Sequence, residues 1–469
     1  MSRACPLTAA RFAEDVGGRV LTGDPARVLA RVSIDTRSIA AGDAFLAIHG
    51  PRVDGHAYLR EALDAGASAL VVHREPAVAG LDPGDRPVVL VEDTVRALQE
   101  VARAVRRRAG ARVVAITGSA GKTTTKELAA AVAATRFRTL RNRGNLNNHI
   151  GLPLSLLDLQ QGHEVAVVEL GMNHAGEIRT LVGIAEPDVR VWTNVGTAHI
   201  EFFGTQDAIA EAKAEVLAGA GAGTVFVANA DDPRVARRMA GFPGTTISFG
   251  TSPEADVRAV HVEDRGLDGV RARVTTPRGP IEVTLGLAGL ANLANALAAV
   301  AIGVALDVPL ADVPPALAAV RPAPHRGECL RLAGDVVVYD DTYNASPSAL
   351  AQALQVLGGD RSGRRKVALL GEMLELGEAS ADLHRGCGPA VVAAGVAVLV
   401  TVGGAPARAL GEAAVAAGLP GDAVRHCATS DEAAALAVTL VRPGDLVFVK
   451  GSRGTRMERV IERLQGEGA

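Results

Sequence analysis

The sequence predicts an α/β protein of three domains, on three observations. A chain of 469 residues exceeds what one hydrophobic core normally serves. From about residue 109, β-branched runs alternate with helix-forming runs, the pattern of parallel sheets covered by helices. The alternation breaks at the proline-punctuated "VRPAPHRGE", residues 320 to 328, and resumes beyond it. The expected layout is a smaller α/β domain over 1–108, a central parallel sheet over 109–320, and a second doubly wound domain over 321–469.

Residues 1 to 108 hold short strand signals ("RVSID", "AFLAI", "ASALVV", "PVVLVE") among Gly- and Asp-rich turns. They close in a helix-like basic stretch, "VRALQEVARAVRRR", whose arginines read as a solvated helix face. In the central segment "RVVAIT", "EVAVVEL", "VRVWTNVG" and "GTVFVAN" are strands of the type buried on both faces. A more antiparallel-looking portion, "VRAVHVEDRGLDGVRARVTTPRGPIEVTLGL", precedes the helix "ANLANALAAVAIGVAL". Past the linker, "VVVYDD", "KVALLGEM", "VAVLVTVG" and "DLVFVKGS" alternate with helices again.

Composition excludes several classes. The net charge of −3 makes nucleic acid an unexpected partner. Cys5, Cys329, Cys387 and Cys427 lie far apart, which argues against a disulfide framework or a zinc knuckle. Buried, inert thiols in a reducing compartment are expected. The N-terminal stretch "MSRACPLTAARFAEDVGG" has no apolar core of signal-peptide length. The charge-free residues 386 to 407 are broken by Gly and Pro, so they read as a helix end, a turn and the buried strand "VAVLVTVG" rather than a membrane span. A cytoplasmic location is expected.

The chemistry starts at "VVAITGSAGKTTTKELAAAVAA", residues 113 to 134. Gly118 and Gly121 open backbone conformations closed to other residues and allow close approach to an anion. A helix starting near Lys122 aims unpaired N–H groups and its positive dipole end at that anion. Lys122 adds charge for the terminal phosphates, and the Thr123 hydroxyl suits Mg²⁺. The usual fingerprint wants a glycine where this chain has Ile116. Two polar residues fall at strand ends, where ligands lie in open α/β sheets: Glu169 and His199. A lone carboxylate at a strand end is commonly just solvated, but beside a phosphate loop that weighting changes, and Glu169 can supply magnesium with a hard oxygen. Histidine is a less natural magnesium ligand, so the residue chemistry alone assigns His199 no role. On residue chemistry, the chain is a nucleoside-triphosphate enzyme.

Taken together, the motifs resemble the Mur ligases of bacterial cell-wall synthesis over nearly the whole chain. The loop "TGSAGKTT" looks like that family's phosphate loop, which has no glycine at the Ile116 position. Further matches are "NLNNHIGLPLSLL", "ELGMNHAGEI", "NVGTAHIEFFGTQDAIAEAKAEV", "DDTYNASPSAL", "LGEMLELGEAS" and "VKGSRGTRMERV". "GMNHAGEI" and "DDTYNASP" resemble the members that add a dipeptide rather than those that add earlier amino acids. The resemblance implies three domains: an N-terminal UDP-substrate domain, a central P-loop ATPase-type domain and a Rossmann-like C-terminal domain. It also implies an ATP-dependent, ADP-forming ligase that joins D-alanyl-D-alanine to UDP-N-acetylmuramoyl-tripeptide through an acyl phosphate; a monomer is expected.

Carried over residue by residue, the resemblance implies an ATP loop of Gly118, Ser119, Ala120, Gly121, Lys122, Thr123 and Thr124. Two Mg²⁺ would be held by Thr123, Glu169, His199 and Lys213, the last as its carbamate. Lys122, Lys213 and His199 form the catalytic set. Asn292, Asn295, Arg326, Asp341 and Asn344 would contact the nucleotide. Thr36, Arg37, Asp54, Gly55, His56, Asn145, Asn147 and Asn148 would bind the UDP substrate, and Lys450 and Arg453 would face the second substrate. The family usually has His where this chain has Ala291, which touches base contacts and not the chemistry. Plainer readings stand beside these: Lys213 as a surface lysine, the asparagines as loop caps, "DGH" as a turn. Two rival functions also stand, a Mur ligase adding an earlier amino acid and a P-loop nucleotide switch.

Overall fold

The computed structural model describes residues 7–50 and 53–466. The chain divides into two compact units, Met1–Ile116 with Arg136–Arg190, and Thr117–Thr135 with Val191–Ala469.

The first unit contains a five-stranded sheet in the order Arg19–Thr22, Val88–Leu90, Ala69–Val72, Ala44–Leu46, Val32–Ser33. Its first pair is antiparallel and the others are parallel. Side chains alternate between faces along each strand, which sorts the core in two. Leu46, Val71 and Val89 pack with Phe12 and Leu98, whereas Phe45, Leu70 and Val72 pack with Leu59 and Leu63. The helix Thr94–Ala109 is capped by Asp93, which accepts from the Arg96 N–H, and stops at Gly110 with φ +67°. In the same unit the strands Thr139–Arg141 and Val165–Glu169 pair in parallel, and Val165–Glu169 continues onto residues 112–116.

Of the arginines expected on a solvated face, Arg103, Arg107 and Arg108 are exposed, Arg106 is half-buried, and all four are also paired. Arg106 donates to the Ala185 and Glu186 carbonyls and to Asp188, Arg108 pairs with Asp15, and Arg103 and Arg107 share Glu186. A periodicity reading sees only the helix face and not the carboxylates about 80 residues on. Arg107, working against burial, and then Arg103 hold the Glu186 carboxyl at about 2, down from 4.5. A depressed carboxyl contributes stability above its unfolded value, and the contribution disappears as pH falls through the folded one. Glu186→Gln is therefore expected to lose about 1 kcal/mol at pH 7, after discounting for solvent screening. The gap from wild type should close between pH 4.5 and about 2, as followed by urea unfolding across that range.

The second unit holds the helix Lys122–Ala134 and the consecutive strands Val225–Asn229, Thr245–Gly250, Val257–Asp264, Val270–Thr276 and Gly279–Leu285. The first three pair in parallel and the last three antiparallel, as the sequence led one to expect for the portion after residue 256. Its six-stranded sheet runs Glu328–Leu332, Val336–Asp341, Leu446–Lys450, Lys366–Gly371, Val396–Val402, Val424–Cys427. Only the edge strand Glu328–Leu332 is antiparallel. This is a doubly wound sheet: Tyr339, Leu370 and Phe448 face one core, and Val338, Leu369 and Val449 the other. Asp341 and Lys450 lie side by side at the carboxyl ends of adjacent strands, where such sheets bind ligands.

The charge-free stretch resolves into the helix Ser380–Ala393, the strand Val396–Val402 and the start of the helix Ala405–Ala416. Among the described residues no helix is long and apolar enough to cross a membrane. Cys387 and Cys427 are buried, but Cys329, on the edge strand, is exposed, and Cys5 lies outside the described residues.

Candidate active site

The loop between the strand Arg112–Thr117 and the helix Lys122–Ala134 has the geometry of an anion cradle. Gly118 has φ +153°, and a Cβ there would sit 1.9 Å from Thr193 Oγ1. Gly121 has φ +79°, and its Cβ would sit 2.2 Å from Asn295 Oδ1. Both positions require glycine for conformation and for space. Two residues that sequence reasoning missed fasten the loop. The Asn194 carbonyl accepts from Ser119 N–H at 3.1 Å, and its side-chain oxygen accepts from Ala120 N–H at 2.9 Å. Thr193 Oγ1 donates to the Ala120 carbonyl at 2.8 Å. The strand-end string "TNVG" was the available signal, because polar residues closing a buried strand seldom lack a partner.

Lysines converge on this loop. Lys122 Nζ donates to the Gly118 carbonyl at 2.9 Å, and Lys213 Nζ to the same oxygen at 3.1 Å. Lys213 is 2% exposed, so the surface-lysine reading is overturned. It ends the helix Gln206–Ala214, whose cap Thr205 accepts from Ala208 N–H. Two ammonium groups within about 6 Å repel by about 3 kcal/mol at an effective dielectric of 20. Such a pair fits a site built for anions. A triphosphate also fits the orphaned Ser119 Oγ, which is buried in the loop with no hydrogen-bond partner.

Asn295, buried on the helix Leu290–Ala305, accepts from Thr125 Oγ1 and donates to Asn292, which donates to the Ala288 carbonyl. This amide relay supports the loop from behind. Gly121→Ala is therefore expected to cost about 1–3 kcal/mol and to abolish ATP binding, as read by thermal unfolding and calorimetric titration. Gly176→Ala is the control. It has φ +88° but open space around it, so it should carry only the backbone cost.

Thr123 is buried at the start of the loop helix, with Thr124 next to it. His199 has φ +66°, and its Nδ1 lies 2.7 Å from Glu375 Oε2, a hydrogen bond that holds the Glu375 carboxyl below its usual range. In the first unit Glu169 is 2% exposed and accepts from Asn147 Nδ2 at 2.7 Å, while its N–H donates to Asn142 Oδ1. Asn148 Oδ1 accepts from the Ile150 and Gly151 N–H groups where the next helix begins, and the Asn145 carbonyl accepts from Asn147 N–H. Among the described residues no three His, Cys, Asp or Glu side chains gather as a metal cage. A magnesium site here therefore needs other oxygens, from a threonine, a carbamate or phosphates, the mix usual for Mg²⁺.

At the end of the six-stranded sheet, Lys450 is 3% exposed and donates to Asp341 and to the Asn344 carbonyl. Arg326 lies 3.6 Å above the Tyr343 ring, and Arg453 lies 5.3 Å from the same ring. In the five-stranded part Thr36 donates to Glu61, and Arg37 pairs with Asp35. Asp54 caps the turn Gly55–Tyr58, accepting from the His56 N–H and ring. The His56 ring is buried, and its Nε2 accepts from His73 N–H at 3.3 Å.

The doubly wound sheet, the glycine-built loop and the paired lysines define a nucleotide-handling α/β enzyme. The chain belongs to the Mur ligase family: the family's profiles match residues 29–106 (catalytic domain), 116–303 (middle domain) and 325–453 (glutamate ligase domain). Curated relatives include the UDP-N-acetylmuramoyl-tripeptide–D-alanyl-D-alanine ligases of Bacillus subtilis and Escherichia coli. They are 32% and 35% identical, over 93% of this chain and 93% and 94% of theirs. Among solved structures, MurF of Acinetobacter baumannii superposes with a TM-score of 0.87 at 32% identity, covering 99% of this chain and 100% of that one. MurF of Thermotoga maritima, solved in complex with ADP, gives 0.79 at 31% identity, covering 93% of this chain and 97% of that one.

Proposed function

We propose that this chain is an ATP-dependent, ADP-forming ligase that joins D-alanyl-D-alanine to UDP-N-acetylmuramoyl-tripeptide in peptidoglycan precursor synthesis. The observation that carries the reading is the two-lysine phosphate loop inside a chain that aligns over 93% of its length with a ligase of that name. In this reading the chain has three domains, at 1–108, 109–320 and 321–469, and acts as a cytoplasmic monomer. The three separately matched profiles support the domain limits.

A carboxylate is a poor acyl donor because its anionic oxygen leaves badly. Attack of the tripeptide carboxylate on the γ-phosphorus of ATP releases ADP and gives an acyl phosphate. The dipeptide amine then attacks the acyl carbon, loses a proton and expels phosphate. Lys122 and the loop N–H groups offset the repulsion between carboxylate and triphosphate. Gly118 and Gly121 let the backbone approach the phosphates, and Ser119 Oγ is a further hydroxyl donor. Magnesium would neutralise phosphate charge, held by Thr123, His199 and a carbamylated Lys213, with Glu169 as the carboxylate the same reading assigns to it. Asn292, Asn295, Arg326, Asp341 and Asn344 serve the nucleotide. Thr36, Arg37, Asp54, Gly55, His56, Asn145, Asn147 and Asn148 serve the UDP substrate, and Lys450 and Arg453 the second substrate. Exclusion of water protects the acyl phosphate from hydrolysis.

The test follows ADP release and product mass together, with each substrate omitted in turn. Turnover should require both the UDP-muramoyl-tripeptide and D-alanyl-D-alanine. Ligation of a single amino acid instead would place the chain with the earlier-acting ligases. ATP turnover with neither substrate would make it a nucleotide switch.

A further inference from the structure

We propose that Glu375 is a positioning residue for this reaction, one that sets the His199 imidazole. The inference rests on the ligase reading for its kinetic consequence but not for its structural one. His199 follows the strand Val189–Trp192, whereas Glu375 follows the strand Lys366–Gly371 of the six-stranded sheet. The two loops meet at several points. Glu375 Oε2 lies 2.7 Å from His199 Nδ1, the Glu375 carbonyl accepts from Glu201 N–H at 3.3 Å, and Gly377 packs against the Glu201 side chain.

Three features point to positioning rather than to stabilisation. First, both residues are held in the left-handed region, with φ +66° at His199 and +63° at Glu375. Non-glycine residues in that region are uncommon and cluster where a structure fixes a side chain for use. Second, the side chains are 20% and 46% exposed, and an exposed pair adds little to stability. Third, the geometry assigns the ring a direction. With Nδ1–H donated to Glu375, the lone pair is on Nε2, which is free to face a ligand. Histidines that bind metals are commonly oriented in this way, by a carboxylate on the other nitrogen. His199 is therefore set where the two loops meet, and separating them leaves the ring without its acceptor.

The test uses the full chain with Glu375→Ala, Glu375→Gln, His199→Ala and the double variant His199→Ala/Glu375→Ala. Imidazole ¹⁵N shifts, recorded without nucleotide or metal and with His199→Ala for assignment, should show Nδ1–H in wild type and its loss in Glu375→Ala. Turnover of Glu375→Ala should fall roughly 10–100-fold in kcat, with the melting temperature held, and Glu375→Gln should recover part of it through its amide oxygen. The double variant should be no slower than His199→Ala alone. An unchanged tautomer in Glu375→Ala, or additive losses in the double variant, would overturn the proposal. If wild type ligates nothing, the ligase reading fails, while the ¹⁵N result still decides the role of Glu375.

Discussion

Lys122→Ala is expected to leave a folded protein that makes no amide. The side chain is only partly buried, and its Nζ donates to the Gly118 carbonyl at the loop surface, so the core loses little when it is cut back. The helix it opens is anchored by buried residues further along, Leu128, Val132 and Ala133 among them, and these stay. The chemistry loses the charge nearest the loop backbone. Removing one preorganised donor from a charge-developing site costs roughly 10²–10³ in rate. Here a full positive charge goes as well, so the loss in kcat/KM should be at least about 10³-fold. Lys122→Arg should not restore it, since a planar guanidinium is larger and directs its donors differently. Circular dichroism and thermal unfolding should match wild type. Ligation within tenfold of wild type would remove the loop from the mechanism.

How far these features can be read from sequence depends on how local their cause is. The buried β-branched strands at 165–169, 336–341, 396–402 and 446–450 declared themselves, because a strand covered on both faces must be apolar throughout. Gly118 and Gly121 were legible for a similar reason, as glycine before a lysine-led helix has few other uses. Strand order was not legible: Leu446–Lys450 inserts between strands far earlier in the chain, and no periodicity reports a neighbour. Short strands such as Thr245–Gly250 and Val424–Cys427 were missed because they mix polar and apolar residues without alternation. Thr193 and Asn194 act on a loop some 74 residues away, and Glu375 on a histidine 176 residues away. Such contacts exist only after folding. Lys213 shows the same limit, for its helix pattern permitted a solvated face, and tertiary packing buried it.

Lys213→Ala is expected to be nearly inactive and, unlike Lys122→Ala, partly rescued by small carboxylates. Lys213 is 2% exposed and donates to the same Gly118 carbonyl as Lys122, so its side chain ends inside the phosphate loop. A neutral amine adds carbon dioxide, forming an N–C bond and releasing one proton, and becomes a carbamate anion. In the proposed reaction that change at Lys213 would replace a repulsive charge beside Lys122 by an attractive one and would provide the hard oxygens magnesium prefers. Alanine removes the chain beyond Cβ and leaves a buried space next to the Gly118 carbonyl. Formate or acetate can enter that space and bring a carboxylate to the same region, whereas no small anion replaces the Lys122 ammonium. Turnover should fall roughly 10²–10³-fold, the scale seen when one electrostatic element of a preorganised site is lost. Added carboxylate should recover about tenfold of that in a saturable manner. Chloride at equal ionic strength should recover none, which separates site filling from salt screening. Wild-type activity should also fall when carbon dioxide is stripped from the buffer and return with bicarbonate. Full activity in Lys213→Ala with no added anion would reduce the residue to a packing role, and the carbamate would go with it.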